Sequence, residues 1–127
     1  MIMNAFLTVF LGAGIGGAAR HGVNLLALRL LGTGFPAGTL IVNIAGSLIM
    51  GLLLGWFSHK ADLGQSWRLF LTTGILGGFT TFSTFSLDVA LLHERGQLWT
   101  AALYAAVSVI LAISGLFAGL FIIRNLS

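Results

Sequence analysis

The amino-acid sequence predicts an all-α membrane protein of four transmembrane helices, with the third helix broken mid-membrane, assembled as a dual-topology antiparallel homodimer. Of its 127 residues, 57% are hydrophobic and only 7% are charged, whereas a soluble domain carries about 25% charged residues. The mean hydropathy is +1.05. Because a spanning helix takes about 20 apolar residues, roughly four spans with short connections fill residues 1–127 as a single domain.

The first two spans are predicted at residues 4–31 and 37–57. The first lacks a basic N-terminal region and contains Arg20, so it is interpreted as a retained span and not as a signal peptide. Pro36 suits the first turn of the second span, because its missing N–H has no helical partner there. Glycines in the first span allow close helix packing: Gly12, Gly14, Gly16 and Gly17.

The third and fourth spans are predicted at residues 67–92 and 98–123, after polar loops at 58–66 and 93–97. Tryptophan is enriched at membrane–water interfaces, and all three tryptophans stand at predicted span ends: Trp56, Trp67 and Trp99. Their positions therefore agree with the predicted boundaries.

A run of glycines and hydroxyl side chains from Gly74 to Ser86 interrupts the third span, and the break is predicted near Gly77 and Gly78. Lipid offers no hydrogen-bond partner to a freed backbone group, so protein or a water-filled cavity must receive the break. Unwound backbone at membrane depth is where transporters and channels hold ions. Freed carbonyls near Gly77 and Thr80 form an oxygen site that suits a dehydrated Na⁺.

The cations that set membrane orientation are nearly balanced between the two sides. The side of the termini carries Lys60, Arg68 and Arg124, and the other side carries Arg29 and Arg95. A small chain with so weak a bias can insert in either orientation. Two copies in opposite orientations form an antiparallel dimer, which is an inverted repeat made from separate chains.

Phe82 and Phe85 lie three residues apart, so they share a helical face. Two interpretations stay open. In the first, the two rings pack in the protein core, as phenylalanines at helical spacing usually do. The alternative is a pore wall, because the edge of a phenyl ring carries partial positive charge and can face an anion. The preceding Gly-Gly and the surrounding hydroxyl residues favour the pore.

The second span places Thr39, Asn43 and Ser47 on one stripe. An asparagine inside a membrane is costly unless it is paired, which favours a functional role. Its amide provides two N–H donors for an anion. The competing interpretation is an interhelical hydrogen bond, worth about 1 kcal/mol or less.

Two further polar features are candidates for an ion path. In the fourth span Tyr104 and Ser108 share a face, but Ala112 ends this polar track. Arg20 is the only cation well inside a predicted span. It either forms an ion pair with Asp88 or creates an electropositive vestibule that attracts anions.

Several function classes are excluded by what the sequence lacks. There is no cysteine, and the carboxylates stand apart at Asp62, Asp88 and Glu94. The histidines are interpreted as packing or loop residues: His21, His59 and His93. With neither paired carboxylates nor an activated nucleophile, the chain is not expected to be an enzyme. The scattered cations are not typical of nucleic-acid binding.

Three motifs resemble those of the Fluc (CrcB) fluoride channels, and the resemblance covers essentially the whole chain. They are the Gly-Gly-Phe-Thr-Thr-Phe-Ser-Thr-Phe-Ser run from Gly77 to Ser86, the Gly-Gly-x-x-Arg that ends at Arg20, and the Val-Asn-x-x-Gly-Ser around Asn43. The resemblance implies a dual-topology antiparallel homodimer in a prokaryotic inner membrane, with two pores that pass F⁻ passively.

The resemblance also implies roles for individual residues. The backbone carbonyls of Gly77 and Thr80 from both subunits hold one central, structural Na⁺. The implied pore includes Phe82 and Phe85 with Asn43, and Thr39 stands on the same stripe as Asn43. Further pore residues are Tyr104 and Ser108, with Arg20 at the vestibule. Ala112 departs from the hydroxyl expected on the fourth-span track.

Two other classes are considered. A small multidrug exporter needs a carboxylate within the first span, where this chain has Arg20 and no acid. A membrane scaffold explains the glycines but not the polar break.

Overall fold

The computed structural model describes residues 2–59 and 64–126, and every regular element in these ranges is helical. Lys60 and Asp62, which entered the cation and carboxylate counts, lie outside the described residues. The elements in chain order are α1 (Ile2–Leu31), α2 (Ala37–His59), α3 (Gln65–Leu69), a π-helical segment (Phe70–Leu76), α4 (Gly77–Phe79), α5 (Phe82–Glu94) and α6 (Leu98–Leu126).

Three helical stretches of the described chain are long and apolar enough to cross a membrane, namely Ala37–His59, Gln65–Glu94 and Leu98–Leu126. The prediction of an all-helical, multi-pass membrane protein is therefore confirmed. α1 has 30 residues but is not one of the three. Its role as a fourth span stays a prediction.

Most helices run a few residues beyond the predicted spans, because a helix continues past the apolar stretch that hydropathy detects. α1 ends directly before Gly32, and α5 ends two residues before Gly96; both glycines have φ of 78°. That left-handed conformation is accessible to glycine and ends a helix by turning the chain away from its axis.

Helices pack backbone to backbone at several glycines. A Cβ atom at Gly12 in α1 would lie 2.8 Å from the Cα atom of Gly74 in the π-helical segment. A Cβ atom at Gly51 in α2 would overlap the carbonyl oxygen of Leu116 in α6. Gly14 and Gly17 were also predicted to bring helices together, but a Cβ there would have nothing within 4 Å in the described chain. The prediction is wrong for these two within one chain, because they face away from its other helices.

We expect Gly51→Ala to destabilise the protein, because a methyl group cannot fit against the α6 backbone without separating the two helices. Overpacking of this kind typically costs about 1–3 kcal/mol. Thermal unfolding of the purified protein in detergent would measure the loss. Gly22→Ala is the matched control, since its Cβ meets nothing within 4 Å and alanine favours a helix. Equal stability of the two variants would contradict the close α2–α6 packing.

The third long helical stretch is interrupted at Thr80 and Thr81, which are extended. Their φ and ψ angles are −88° and 159° for Thr80 and −155° and 118° for Thr81. Gly77 and Gly78 stay helical, so the predicted position of the break near them is wrong by a few residues. The hydroxyl of Thr81 accepts a hydrogen bond from the N–H of Thr84 at 3.1 Å, which caps α5 and makes Thr81 the better place to begin a helix.

Before the break, the helix widens into the π-helical segment. The N–H of Gly77 donates to the carbonyls of Thr72 and Gly74, and the bond to Thr72 spans five residues. Such segments are rare and occur frequently at functional sites. No sequence pattern used above predicted it, because a single inserted residue leaves the local hydropathy unchanged.

Candidate functional site

A groove of about 520 Å³ lies beside the break, between α2, α5 and α6. It brings together four of the residues predicted for a pore: Asn43, Phe82, Phe85 and Ser108. The two extended threonines, Thr80 and Thr81, lie along the same groove with Ser47 and Ala112. Residues from three helices thus meet at the point where the helix is interrupted.

Asn43 pairs with both backbone groups of Thr81. Its Nδ2 donates to the carbonyl oxygen of Thr81 at 3.0 Å, and its Oδ1 accepts from the N–H of Thr81 at 2.8 Å. The interhelical hydrogen bond considered from sequence is therefore present. The amide carries two N–H groups, so one of them is not used in this pair.

The two phenylalanines lie side by side but are exposed to very different extents. Their ring centroids are 5.5 Å apart, while 77% of Phe82 and only 9% of Phe85 is exposed. Phe85 packs in turn against Tyr104, with ring centroids 5.3 Å apart. Phe85 therefore belongs to the aromatic core of this chain, whereas Phe82 presents most of its ring outward.

Ser108 is a buried polar residue without a partner in the described part of the chain. Only 5% of it is exposed, and its hydroxyl forms no hydrogen bond. A buried hydroxyl normally finds a partner, because leaving it unpaired costs about 1–3 kcal/mol. Ser108 lines the groove, although its hydroxyl oxygen itself is buried.

Thr39 and Asp88 lie on a second cavity of about 320 Å³, between α1, α2 and α5. Tyr104 is fully buried, and its hydroxyl donates to the Asp88 carboxylate at 2.9 Å. Tyr104 contacts Phe85, which lines the groove, and Asp88, which lines the second cavity, so it connects the walls of the two cavities. The residues predicted for the pore are thus divided: Asn43, Phe82, Phe85 and Ser108 share the groove, whereas Thr39 lies on the second cavity.

Arg20 does not pair with Asp88. Its Nε donates to the carbonyl oxygen of Gly78 at 3.1 Å, and the hydrogen bond recorded for Asp88 comes from Tyr104. The ion pair considered from sequence is therefore wrong, because α1 packs on the segment before the break and not on the end of α5. Arg20 is half-buried and brings a positive charge to the break.

The backbone at the break contains the oxygen atoms that a metal ion could use. The described residues include no cluster of His, Cys, Asp or Glu at metal-binding distance. The N–H of Thr81 bonds to Asn43, so it does not make the helical bond to the carbonyl of Gly77. The hydroxyl and the N–H of Thr80 both donate to the carbonyl of Leu76, at 2.9 and 3.0 Å.

Sequence reasoning missed the partner of Asp88 and the second cavity. Tyr104 and Asp88 are sixteen residues apart in two different helices, and no local pattern links them. The available signal was that Tyr104 and Asp88 are both polar groups within long apolar stretches, where each needs a partner.

These features define a class, a multi-pass helical membrane protein whose polar groups converge on a groove beside an interrupted helix. The particular family follows from comparison with known proteins. Residues 7–120 match the family model described as CrcB-like protein, Camphor Resistance (CrcB). The chain belongs to this family, which confirms the resemblance seen in its sequence motifs.

Named relatives cover nearly the whole chain. A protein of Methylobacterium nodulans called fluoride-specific ion channel FluC is 65% identical over 94% of this chain and 95% of its own length. FluC of Rhodopseudomonas palustris is 57% identical over 96% and 98%, and FluC 2 of Nitrobacter hamburgensis is 53% identical over 96% and 98%. The relatives are channels, so the expectation that this chain is not an enzyme is confirmed. The exporter and scaffold alternatives are not supported.

Proposed function

We propose that this protein is a fluoride-selective channel that lets F⁻ cross the inner membrane of a prokaryotic cell passively. The observation that supports it most is the groove, where Asn43, Phe82, Phe85 and Ser108 lie together. The names of the relatives, fluoride-specific ion channels of bacteria, supply the ion and the kind of cell.

The groove offers a dehydrated anion substitutes for its water shell. The hydroxyl of Ser108 has no other partner among the described residues, and the second amide hydrogen of Asn43 is available. The edges of Phe82 and Phe85 add partial positive charge. Helix α5 begins at Phe82, so its first N–H groups and the positive end of its dipole also lie near the groove.

The functional unit in this proposal is an antiparallel dimer with two pores. Phe82 is mostly exposed in one chain, and a ring used as a pore wall needs a second surface opposite it. Each chain contributes one groove, so a symmetric pair has two equivalent paths. The proposed dimer spans the membrane with four helices per chain, including α1, and with the break near the membrane centre.

The proposed cofactor is a structural Na⁺ at the dimer centre, held by the backbone carbonyls of Gly77 and Thr80 from both chains. The fit rests on the chemistry of the break, since these oxygens are hard ligands and the N–H of Thr81 is diverted to Asn43. When bound, the ion provides a fixed positive charge that ties the two breaks together. Tyr104, Thr39 and Arg20 extend the proposed anion path beyond the groove.

The decisive experiment is ion efflux from liposomes that contain only this protein. We expect rapid loss of internal fluoride after addition of a potassium ionophore, and no comparable loss of chloride. Liposomes without protein are the control for leakage. Fluoride efflux no faster than in these empty liposomes would overturn the proposal, and equal efflux of chloride would overturn the selectivity.

We expect the chain to insert in both orientations, because its flanking cations are nearly balanced. The protein has no cysteine, so single cysteines at Thr33 and Gln65 would report orientation without background. Both positions are exposed: Thr33 lies in the connection before α2, and Gln65 is the first residue of α3, beyond the other end of α2. Each should be labelled from both sides of the membrane, to about equal extents if insertion is unbiased. Labelling of each site from one side alone would contradict dual topology.

A further inference from the structure

Side chains of α1 and α2 donate hydrogen bonds to two of the backbone carbonyl groups at the break. Arg20 of α1 donates to the carbonyl of Gly78 at 3.1 Å. Asn43 of α2 donates to the carbonyl of Thr81 at 3.0 Å and also holds the N–H of Thr81. Between Gly77 and Thr81, the carbonyls left for a cation are those of Gly77, Phe79 and Thr80.

We propose that Arg20 and Asn43 are positioning residues for the cation site: they occupy the carbonyls of Gly78 and Thr81, and so leave those of Gly77 and Thr80 available to the ion. This inference rests on the Na⁺ site of the proposed function. It assigns Arg20 a structural task at the break, in addition to any effect on anions at the vestibule.

The extended conformation of Thr80 and Thr81 explains why fixing one carbonyl orients the next. In extended backbone, successive peptide groups point to opposite sides. The pairing of Asn43 turns the carbonyl of Thr81 towards α2, so the carbonyl of Thr80 points away from α2. The same pairing keeps the N–H of Thr81 from the carbonyl of Gly77, its ordinary helical acceptor.

The contribution of Arg20 comes from its N–H donor and not from its charge. A guanidinium beside the break repels a cation held there, so the charge by itself weakens Na⁺ binding. Its Nε–H donates to the carbonyl of Gly78. At Gly78, α4 packs closely against α1, because a Cβ atom there would lie 2.9 Å from the Cα atom of Ala13. Donor and charge therefore act in opposite directions on Na⁺ affinity, and substitution can separate them.

The test measures the Na⁺ concentration at which thermal stability of the purified protein is half-maximally increased, with N-methylglucamine chloride keeping ionic strength constant. Arg20→Met removes donor and charge, and should raise this midpoint by about tenfold, the typical effect of losing one hydrogen bond to a charged donor. Arg20→Gln keeps an N–H donor without the charge and should have a midpoint equal to or below that of the wild type.

Arg29→Met is the matched control, because Arg29 is an exposed cation on the same helix and its removal should leave the midpoint unchanged. A purely structural role of Arg20 would lower stability equally with and without Na⁺, and an unchanged midpoint in Arg20→Met would overturn the inference. If Arg20→Met does not fold, Asn43→Ala tests the same site from α2 and should also raise the midpoint.

The outcomes separate this inference from the proposed function. A wild-type protein whose stability is indifferent to Na⁺ would overturn both the cation site and the positioning role. Fluoride efflux from liposomes would still test the channel independently. A Na⁺-dependent wild type with an unchanged Arg20→Met midpoint would overturn the positioning role alone.

Discussion

Replacing Phe82 or Phe85 with isoleucine is expected to reduce fluoride efflux by at least about a hundredfold, which corresponds to about 2.7 kcal/mol in the barrier. Isoleucine roughly keeps the apolar volume but has no aromatic quadrupole. A dehydrated anion in the groove would then face an aliphatic wall where the wild type offers positive ring edges. Efflux from liposomes and dimer integrity by gel filtration should be measured on the same preparation.

The two positions differ in their expected effect on stability. Phe85 is buried and packs against Tyr104, so Phe85→Ile loses an aromatic contact worth about 0.5–1.5 kcal/mol. Phe82 is mostly exposed in one chain, and Phe82→Ile should change the stability of the chain itself little.

Phe117→Ile is the matched control, because Phe117 is 63% exposed on α6 and is not among the residues that line the described cavities. Its efflux should equal that of the wild type. If Phe82→Ile and Phe85→Ile also conduct like the wild type, the aromatic rings are not needed for the ion path and the proposed pore is wrong.

Asn43→Asp is expected to abolish fluoride efflux almost completely. The carboxylate still accepts from the N–H of Thr81, but it cannot donate to the carbonyl of Thr81 or to an anion. It also adds a negative charge beside the path, and two like charges about 4 Å apart repel by about 4 kcal/mol at an effective dielectric constant of 20. The expected loss therefore exceeds that of either phenylalanine variant.

Asn125→Asp provides a control with the same chemical change. Asn125 is exposed near the end of α6, where its Nδ2 donates to the carbonyl of Phe121 at 2.8 Å. That variant should conduct normally. Wild-type efflux from Asn43→Asp would reduce Asn43 to its observed hydrogen bonds with Thr81, whereas loss of the dimer peak would identify a folding defect in place of a pore defect.

The helical membrane architecture and the family could both be read from the amino-acid sequence. Hydropathy depends on composition within a window of residues, so the long apolar stretches predicted the helices to within a few residues of their ends. The motif from Gly77 to Ser86 is also contiguous, which is why it indicated both a break and a family. The exact position of the break was harder to predict. Both the glycines before it, Gly77 and Gly78, and the capping hydroxyl of Thr81 are residue types that occur at helix ends.

The partners of the polar side chains were decided only by the tertiary structure. Arg20 contacts Gly78, 58 residues away, and Asn43 contacts Thr81, 38 residues away, whereas the considered partner of Arg20 was Asp88. Hydropathy cannot identify which face of a membrane helix is buried, because a membrane-spanning helix is apolar on all sides. The rotation and register of each helix depend instead on close packing at glycines and on hydrogen bonds between helices, and these contacts placed four predicted pore residues on one groove and moved Thr39 to another.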